Sequence, residues 1–293
     1  MSTRSTTDTV APIYKSPAGA AAIAERYREV LREWPVPAEQ LRIPTRAGET
    51  FALASGPVDA PPLVLLHGSG ANSSMWRGDV AAWAREFRVY SVDLVGEPGA
   101  SAPTRPVLGS PDVALWLDDV LAGLGISDTS MVGISLGGWT ALDYALRRPG
   151  RITRLALLCP GGIGRQRFGW IAKTVVAKLF GRHDVRSSAA LVTGLTGPEL
   201  EPVLDDVTLT FTHFNPRTER LPGFTDAQLR SLTMPVLAIV GADDVMFDSA
   251  TTARRVRSEV PNATVEVLPG VGHAILGQTD RIMGFLRADA PPA

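Results

Sequence analysis

The sequence predicts an α/β chain with a mostly parallel sheet, helices on both of its faces and a helical lid insertion. Three observations carry this. From Pro61 onward, short apolar runs alternate with helical stretches over short connections. The runs, such as "LVLLHG" and "ITRLALLCPGG", are continuously apolar, as strands buried on both faces are, and do not alternate as half-exposed strands would. Residues 162–231 interrupt the pattern with helical stretches and no convincing strand.

In chain order, residues 1–12 are rich in Ser and Thr without periodicity and read as a mobile tail. "SPAGAAAIAERYREVLREW" places Ser16 as an N-cap and Pro17 at the first helical position, with Ile23, Tyr27, Val30, Leu31 and Trp34 on one face. "QLRIPTRAGETFALASG" reads as a hairpin turning at Ala47 and Gly48. The alternation then runs "LVLLHG" strand, "VAAWAREF" helix, "RVYSVDLVG" strand, "SPDVALWLDDVLAGLG" helix, "TSMVGIS" strand, "LGGWTALDYALRRPG" helix and "ITRLALLCPGG" strand. The insertion offers helices at "FGWIAKTVVAKLF" and "PELEPVLDDVTLTF". The strand "MPVLAIVGADD", the helix "DSATTARRVRSEV", the strand "ATVEVLPG" and a helix near "TDRIMGFLR" complete the chain. Residues 13–161 and 232–293 thus form one core, and residues 162–231, inserted after a strand end, are expected to be its lid.

Composition narrows the function. A chain of 293 residues with 45% hydrophobic side chains buries a sizeable core, and a formal net charge of −1 argues against binding a phosphate backbone, so no nucleic-acid partner is expected. No apolar stretch approaches the roughly 20 residues that cross a bilayer, and the N-terminal stretch lacks the apolar segment of a secretory signal. No membrane partner and a cytoplasmic location are expected; the lone Cys159, unable to form an internal disulfide, agrees with a reducing compartment. No G-x-G-x-x-G, no G-x-x-x-x-G-K-[ST] and no paired His/Cys metal spacing occurs, so neither a nucleotide cofactor nor a metal is expected.

The stretch "MVGISLGGW" sets Ser135 between Gly133 and Gly137 where a strand becomes a helix. So sharp a turn strains the serine backbone, and flanking glycines relieve the crowding. The hydroxyl then projects at the carboxyl edge of the sheet, where ligands bind in open α/β folds, beside helix N–H groups that favour developing negative charge. A serine hydroxyl is a poor nucleophile by itself and needs a histidine base, oriented in turn by a carboxylate. Of four histidines, His273 in "LPGVGHAI" lies just past the last strand at the same edge and is the expected base. His67 is expected to shape its own turn by hydrogen bonding, and His183 and His213 read as lid residues without a catalytic part. The acid should come from a strand end between serine and histidine; "VLAIVGADD" offers Asp244, with Asp243 in reserve. Oxyanion donors are expected from the amides of Leu136, after the nucleophile, and Ser69 in "HGSG". Trp76, Trp139, Phe168, Phe211 and Phe214 are the expected substrate-binding side chains, in a pocket for an apolar acyl or aromatic group.

These stretches together carry a resemblance. "LVLLHGSG", "VDLVGEPGAS", "GISLGG", "VGADD" and "GVGH" make residues 41–288 similar to the α/β-hydrolase superfamily, and "WPVP", "APPLVLLHGSGANSSMW" and "PVLAIVGADDVMFDS" resemble bacterial serine carboxylesterases. Serine at the elbow separates the chain from relatives with aspartate there, the haloalkane dehalogenases and epoxide hydrolases. The resemblance implies cofactor-free hydrolysis of a small-molecule ester through an acyl-enzyme. One departure stands out: many relatives read D-x-x-G-x-G-x-S after the fourth strand, whereas Asp93, Gly96, Gly99 and Ser101 are spaced one residue longer by "EPG". The same triad would also serve lactone, thioester or C–C bond hydrolysis, acyl transfer or perhydrolysis, and the fold would also serve a ligand-binding module. Apolar lid faces are compatible with a homodimer.

Overall fold

The computed structural model describes residues 12–167, 169 and 184–288. The expected tail, the helix at "FGWIAKTVVAKLF" with Phe168 and Trp170, and His183 lie outside the described residues, apart from Pro12 and Gly169.

The first helix, α1 (Pro17–Arg32), starts as its sequence dictates: the Ser16 hydroxyl accepts the Gly19 N–H at 3.0 Å, and Ile23, Tyr27 and Val30 are buried. The hairpin follows as β1 (Ala38–Thr45) and β2 (Gly48–Ser55), with Gly48 at φ +100° closing the turn. The core continues with β3 (Pro62–Leu66), a 3₁₀ turn at Ser73–Gly78, α2 (Val80–Trp83), β4 (Arg88–Val92), α3 (Asp112–Gly123), β5 (Thr129–Ile134), α4 (Leu136–Arg147) and β6 (Ile152–Leu158). Helix α2 is shorter than "VAAWAREF" predicts, since Asp79 offers it no side-chain cap and the turn before it has already wound tightly. The insertion holds α5 (Val185–Thr193), a 3₁₀ turn at Pro198–Leu200, α6 (Glu201–His213) and α7 (Asp226–Arg230), with no strand among its described residues. Then come β7 (Val236–Gly241), α8 (Ser249–Glu259), β8 (Ala263–Leu268) and α9 (Thr279–Arg287).

The eight strands form one sheet in the order β1-β2-β4-β3-β5-β6-β7-β8. The hairpin is antiparallel and β2 pairs antiparallel with β4; every later pairing is parallel. After β3 the chain steps to one side to make β4, then crosses back to place β5 on the other side of β3. That reversal opens a crevice between the carboxyl ends of β3 and β5.

The strands feed two cores by strict alternation. Val64 and Leu66 of β3 join a cluster with Trp116, Leu117 and Tyr144, while Leu63 and Leu65 join Trp83, Ile282 and Leu286 on the opposite face. The two roots of the insertion meet: the Phe224 N–H donates to the Gly162 carbonyl at 2.9 Å, and the Gly161 N–H to the Ser135 carbonyl at 3.3 Å. No described helix is long and apolar enough to cross a membrane.

Candidate active site

Ser135 occupies the turn from β5 into α4 with φ +52° and ψ −111°. A left-handed conformation at a residue bearing a Cβ costs on the order of 1–3 kcal/mol and persists only where the surroundings impose it. Here they do. The Ser135 N–H donates to Leu158 O at 2.9 Å, and its carbonyl accepts from Trp139 at 2.9 Å and from Gly161. A Cβ on Gly133 would lie 2.5 Å from Gly137 O, and one on Gly137 would collide with the Leu66 and His67 carbonyls. The two glycines therefore let the start of α4 pass directly over the end of β3. The N–H of Leu136, in the first turn of α4, has no acceptor among the described residues.

Across the crevice, residues 67–70 leave β3. His67 is fully buried; its Nε2 accepts the Leu94 N–H at 2.9 Å, which leaves Nδ1 protonated and donating to Gly68 O at 2.8 Å. Burial lowers its pKa against the opposing pull of Asp93, so the ring is a neutral strut for the turn, as its sequence position implies. A Cβ on Gly68 would sit 3.5 Å from that of Ser135, in ordinary contact, so this loop lies beside the serine. The Ser69 N–H has no acceptor among the described residues. Gly70, at φ +69°, faces Phe211 of α6: an added Cβ would lie 2.7 Å from Phe211 Cζ.

At the ends of β7 and β8, His273 Nδ1 lies 2.8 Å from Asp244 Oδ2. The other carboxylate oxygen of Asp244 accepts the N–H groups of Met246 at 2.7 Å and Phe247 at 3.1 Å. Burial pushes this carboxyl up, but the hydrogen bond and charge of His273 and the two amides outweigh it, leaving Asp244 below the ordinary carboxylate range. Asp243 is exposed. The His273 loop is braced by its backbone: Ala274 N–H donates to Thr193 O at 2.9 Å, and the phenyl ring of Phe247 lies 5.3 Å from the imidazole. Cys159 Sγ is within 4.8 Å of the Asp244 and His273 ligand atoms, the one such trio among the described residues. Burial and the neighbouring Asp244 charge push its thiol well up, so it stays protonated at neutral pH and is poorly suited to hold a metal.

The aromatic side chains are where sequence and structure part. Trp139 is fully buried, stacked on Phe224 with centroids 5.9 Å apart and donating Nε1–H to Pro222 O at 2.9 Å; it is core beneath the insertion, not pocket wall. Trp76 is buried against Trp83, and Phe214 is fully buried in a small cluster with Ile13 and Ile23. All three corrections have one cause: a large apolar ring gains most where it is fully desolvated, and each found a partner distant in sequence or on the opposite side of its own turn. Phe211, by contrast, abuts the loop at Gly70. His213 packs against Gly19 of α1. A cavity of about 320 Å³ opens at the insertion root among Gly162, Gln166, Arg220 and Gly223, and is lined by none of Ser135, Asp244 and His273.

Two acidic residues to which the sequence assigned no role are fully buried beside the loop. Asp93 accepts the Tyr27 hydroxyl, the Ser73 amide and hydroxyl and the Ala100 amide at 2.7–3.0 Å, tying α1 to the turn after the crevice. Glu97, in the unusual "EPG" stretch, accepts the Gly70 N–H at 2.7 Å and the Ser69 hydroxyl at 3.1 Å. The extra residue in that motif marks the stretch as unusual but does not by itself place the glutamate in the interior.

A parallel sheet with its order reversing at β3, a strained serine elbow at that crevice and a buried Asp–His pair two strands away define a hydrolase architecture. Residues 61–279 match the family model for the alpha/beta hydrolase fold, and the chain belongs to that family. Within it the similarity is to bacterial carboxylesterases. The "uncharacterized carboxylesterase nap" of Bacillus subtilis is 33% identical over 90% of this chain and 92% of its own. The crystal structure of carboxylesterase CesB (YbfK) from Bacillus subtilis superposes with a TM-score of 0.81 at 29% identity, covering 92% of this chain and 99% of that one. That of naproxen esterase (carboxylesterase NP), from the same organism, does so with 0.80 at 30% identity, over 93% and 100%.

Proposed function

We propose that the chain is a serine carboxylesterase that cleaves esters of small to medium apolar acyl or aromatic acids through an acyl-enzyme. The observation that carries this reading is the 2.8 Å hydrogen bond between His273 Nδ1 and Asp244, formed at the same sheet edge as the strained Ser135. With Nδ1–H committed to Asp244, the other ring nitrogen, Nε2, is the one left to act as base. Ser135 Oγ attacks the ester carbonyl as His273 Nε2 takes its proton, and Asp244 stabilises the resulting imidazolium. The amides of Ser69 and Leu136, which have no acceptor among the described residues, receive the oxyanion. The imidazolium returns its proton to the departing alcohol, and water, deprotonated by His273, then releases the acid.

The insertion at residues 162–231 is the lid in this reading, and Phe211, which it lays against Gly70, is its contribution to the acyl pocket. The likeness to a naproxen esterase supports an aromatic acyl group. The test is hydrolysis of p-nitrophenyl butyrate by wild type and Ser135→Ala at neutral pH. Loss of at least about 10⁴-fold with the serine is expected, in line with removal of a triad nucleophile. Equal rates in the two proteins, or no turnover in either, would overturn the reading.

A further inference from the structure

Glu97 is a fully buried carboxyl that the proposed mechanism does not use. Its Oε2 takes two donors from the loop, the Gly70 N–H and the Ser69 hydroxyl. Its Oε1 has no hydrogen-bond partner, and Arg217 Nε, from the segment between α6 and α7, lies 3.6 Å away. Arg217 is itself buried and also engages Glu219 at 2.6 Å and Pro106 O at 3.3 Å. Also facing Glu97 electrostatically are Arg105, whose guanidinium is anchored on the Gly96 and Asn215 carbonyls, and the Tyr14 phenol from the N-terminal segment, which Asp93 also faces. One carboxyl thus sits between the loop carrying the Ser69 amide and two arginines, one of them from the insertion.

We infer that Glu97 is a positioning residue for the oxyanion loop: its carboxylate form holds Ser69 and Gly70 so that the Ser69 N–H points at the developing oxyanion, and its neutral form lets that amide drift. The inference rests on the esterase reading. An ionised carboxylate is the stronger acceptor for two donors at once, and it attracts Arg217 across 3.6 Å; a neutral acid loses that attraction, and a proton on Oε1 would have no acceptor. Burial is the largest influence on the group and the Gly70 N–H and the two arginines only partly offset it, so Glu97 is pushed up to about 7 and changes charge in the working range of an esterase. Because the loop touches the reacting oxygen only as charge develops there, the effect falls on kcat and leaves KM nearly untouched.

The experiment is the pH dependence of kcat and KM for p-nitrophenyl butyrate, from about pH 5 to 9, in wild type and Glu97→Gln. Each is also titrated with diethyl p-nitrophenyl phosphate, which phosphorylates a competent serine. Glutamine keeps the shape and mimics the neutral acid. The expected result is a kcat about tenfold lower at pH 8 with KM within about twofold, less than the 10²-fold or more that deleting an oxyanion donor costs. As Glu97 takes up its proton below about pH 7, wild type loses its advantage, so the ratio of wild-type to Glu97→Gln kcat falls from about ten at pH 8 toward one at pH 5. A Glu97→Gln profile superimposable on wild type overturns the inference. Should that variant not fold, the wild type decides alone: a kcat that stays within about twofold between pH 8 and pH 5 overturns the inference. Wild type that neither turns over nor is phosphorylated overturns the esterase reading instead.

Discussion

Replacing Asp244 by Asn removes a charge and nothing else in outline, and the surrounding hydrogen bonds dictate how the new side chain settles. The carboxylate accepts from three donors, the Met246 and Phe247 amides on Oδ1 and His273 on Oδ2. An asparagine has one oxygen for these two sides. If the oxygen faces the amides, at 2.7 and 3.1 Å, two hydrogen bonds survive and the NH₂ group points at His273 Nδ1. The flipped rotamer keeps one bond and aims NH₂ at two N–H groups in a buried pocket, which costs about 1–3 kcal/mol for each donor left unpaired. The first orientation wins, so Nδ1 must accept and the imidazole proton moves to Nε2, the atom that should receive the serine proton. The wrong tautomer in a triad lowers kcat by about 10⁴, or about 5.5 kcal/mol of barrier. The assay is kcat on p-nitrophenyl butyrate at neutral pH, with Asp243→Asn as control. That residue is exposed and should stay within about twofold of wild type. An Asp244→Asn enzyme within tenfold of wild type would refute the tautomer reasoning and with it the role of Asp244 as orienting acid.

Two more outcomes concern the glycines. Gly137→Ala drives a Cβ into the Leu66 and His67 carbonyls, which are backbone atoms of a central strand end and its turn, so a loss of about 3 kcal/mol or more is expected in urea unfolding; a loss under 1 kcal/mol would show that the elbow can yield. Gly70→Ala meets a left-handed φ of +69° and Phe211 Cζ at 2.7 Å, and should lower kcat/KM about tenfold; pairing it with Phe211→Ala relieves the contact but not the backbone strain, so recovery is expected to be partial.

The parts of this molecule that were legible are those where a short stretch of chain determines its own geometry. The elbow could be read because the crowding at Gly133 and Gly137 arises within a strand–turn–helix of nine residues. Asp244 and His273 could be read because parallel strands deliver their ends to one edge, so two residues at strand ends are neighbours whatever their separation in the chain. His67 was legible for a similar reason. The aromatics were not, because residue type says that a ring will be buried but not against what. Trp139 meets Phe224, which lies 85 positions later across the insertion. Glu97 was illegible for the opposite reason: a glutamate beside Pro and Gly reads as a solvated loop, and only the packing of the loop at residues 67–70 and of Arg217 around it takes it out of water.

The meeting of the insertion's two roots bears on how such a protein diversifies. Gly162 and Phe224 are bonded to each other, and Gly161 is bonded to the serine elbow itself, so everything between them is, topologically, a closed loop hung from a fixed clasp. Doubling the length of such a loop adds only about 0.6 kcal/mol of closure entropy. On the proposed reading, segments of different size and lining could therefore be traded in this position to change the acids accepted, provided that the Thr193 brace on the His273 loop and the Arg217 contact with Glu97 are kept.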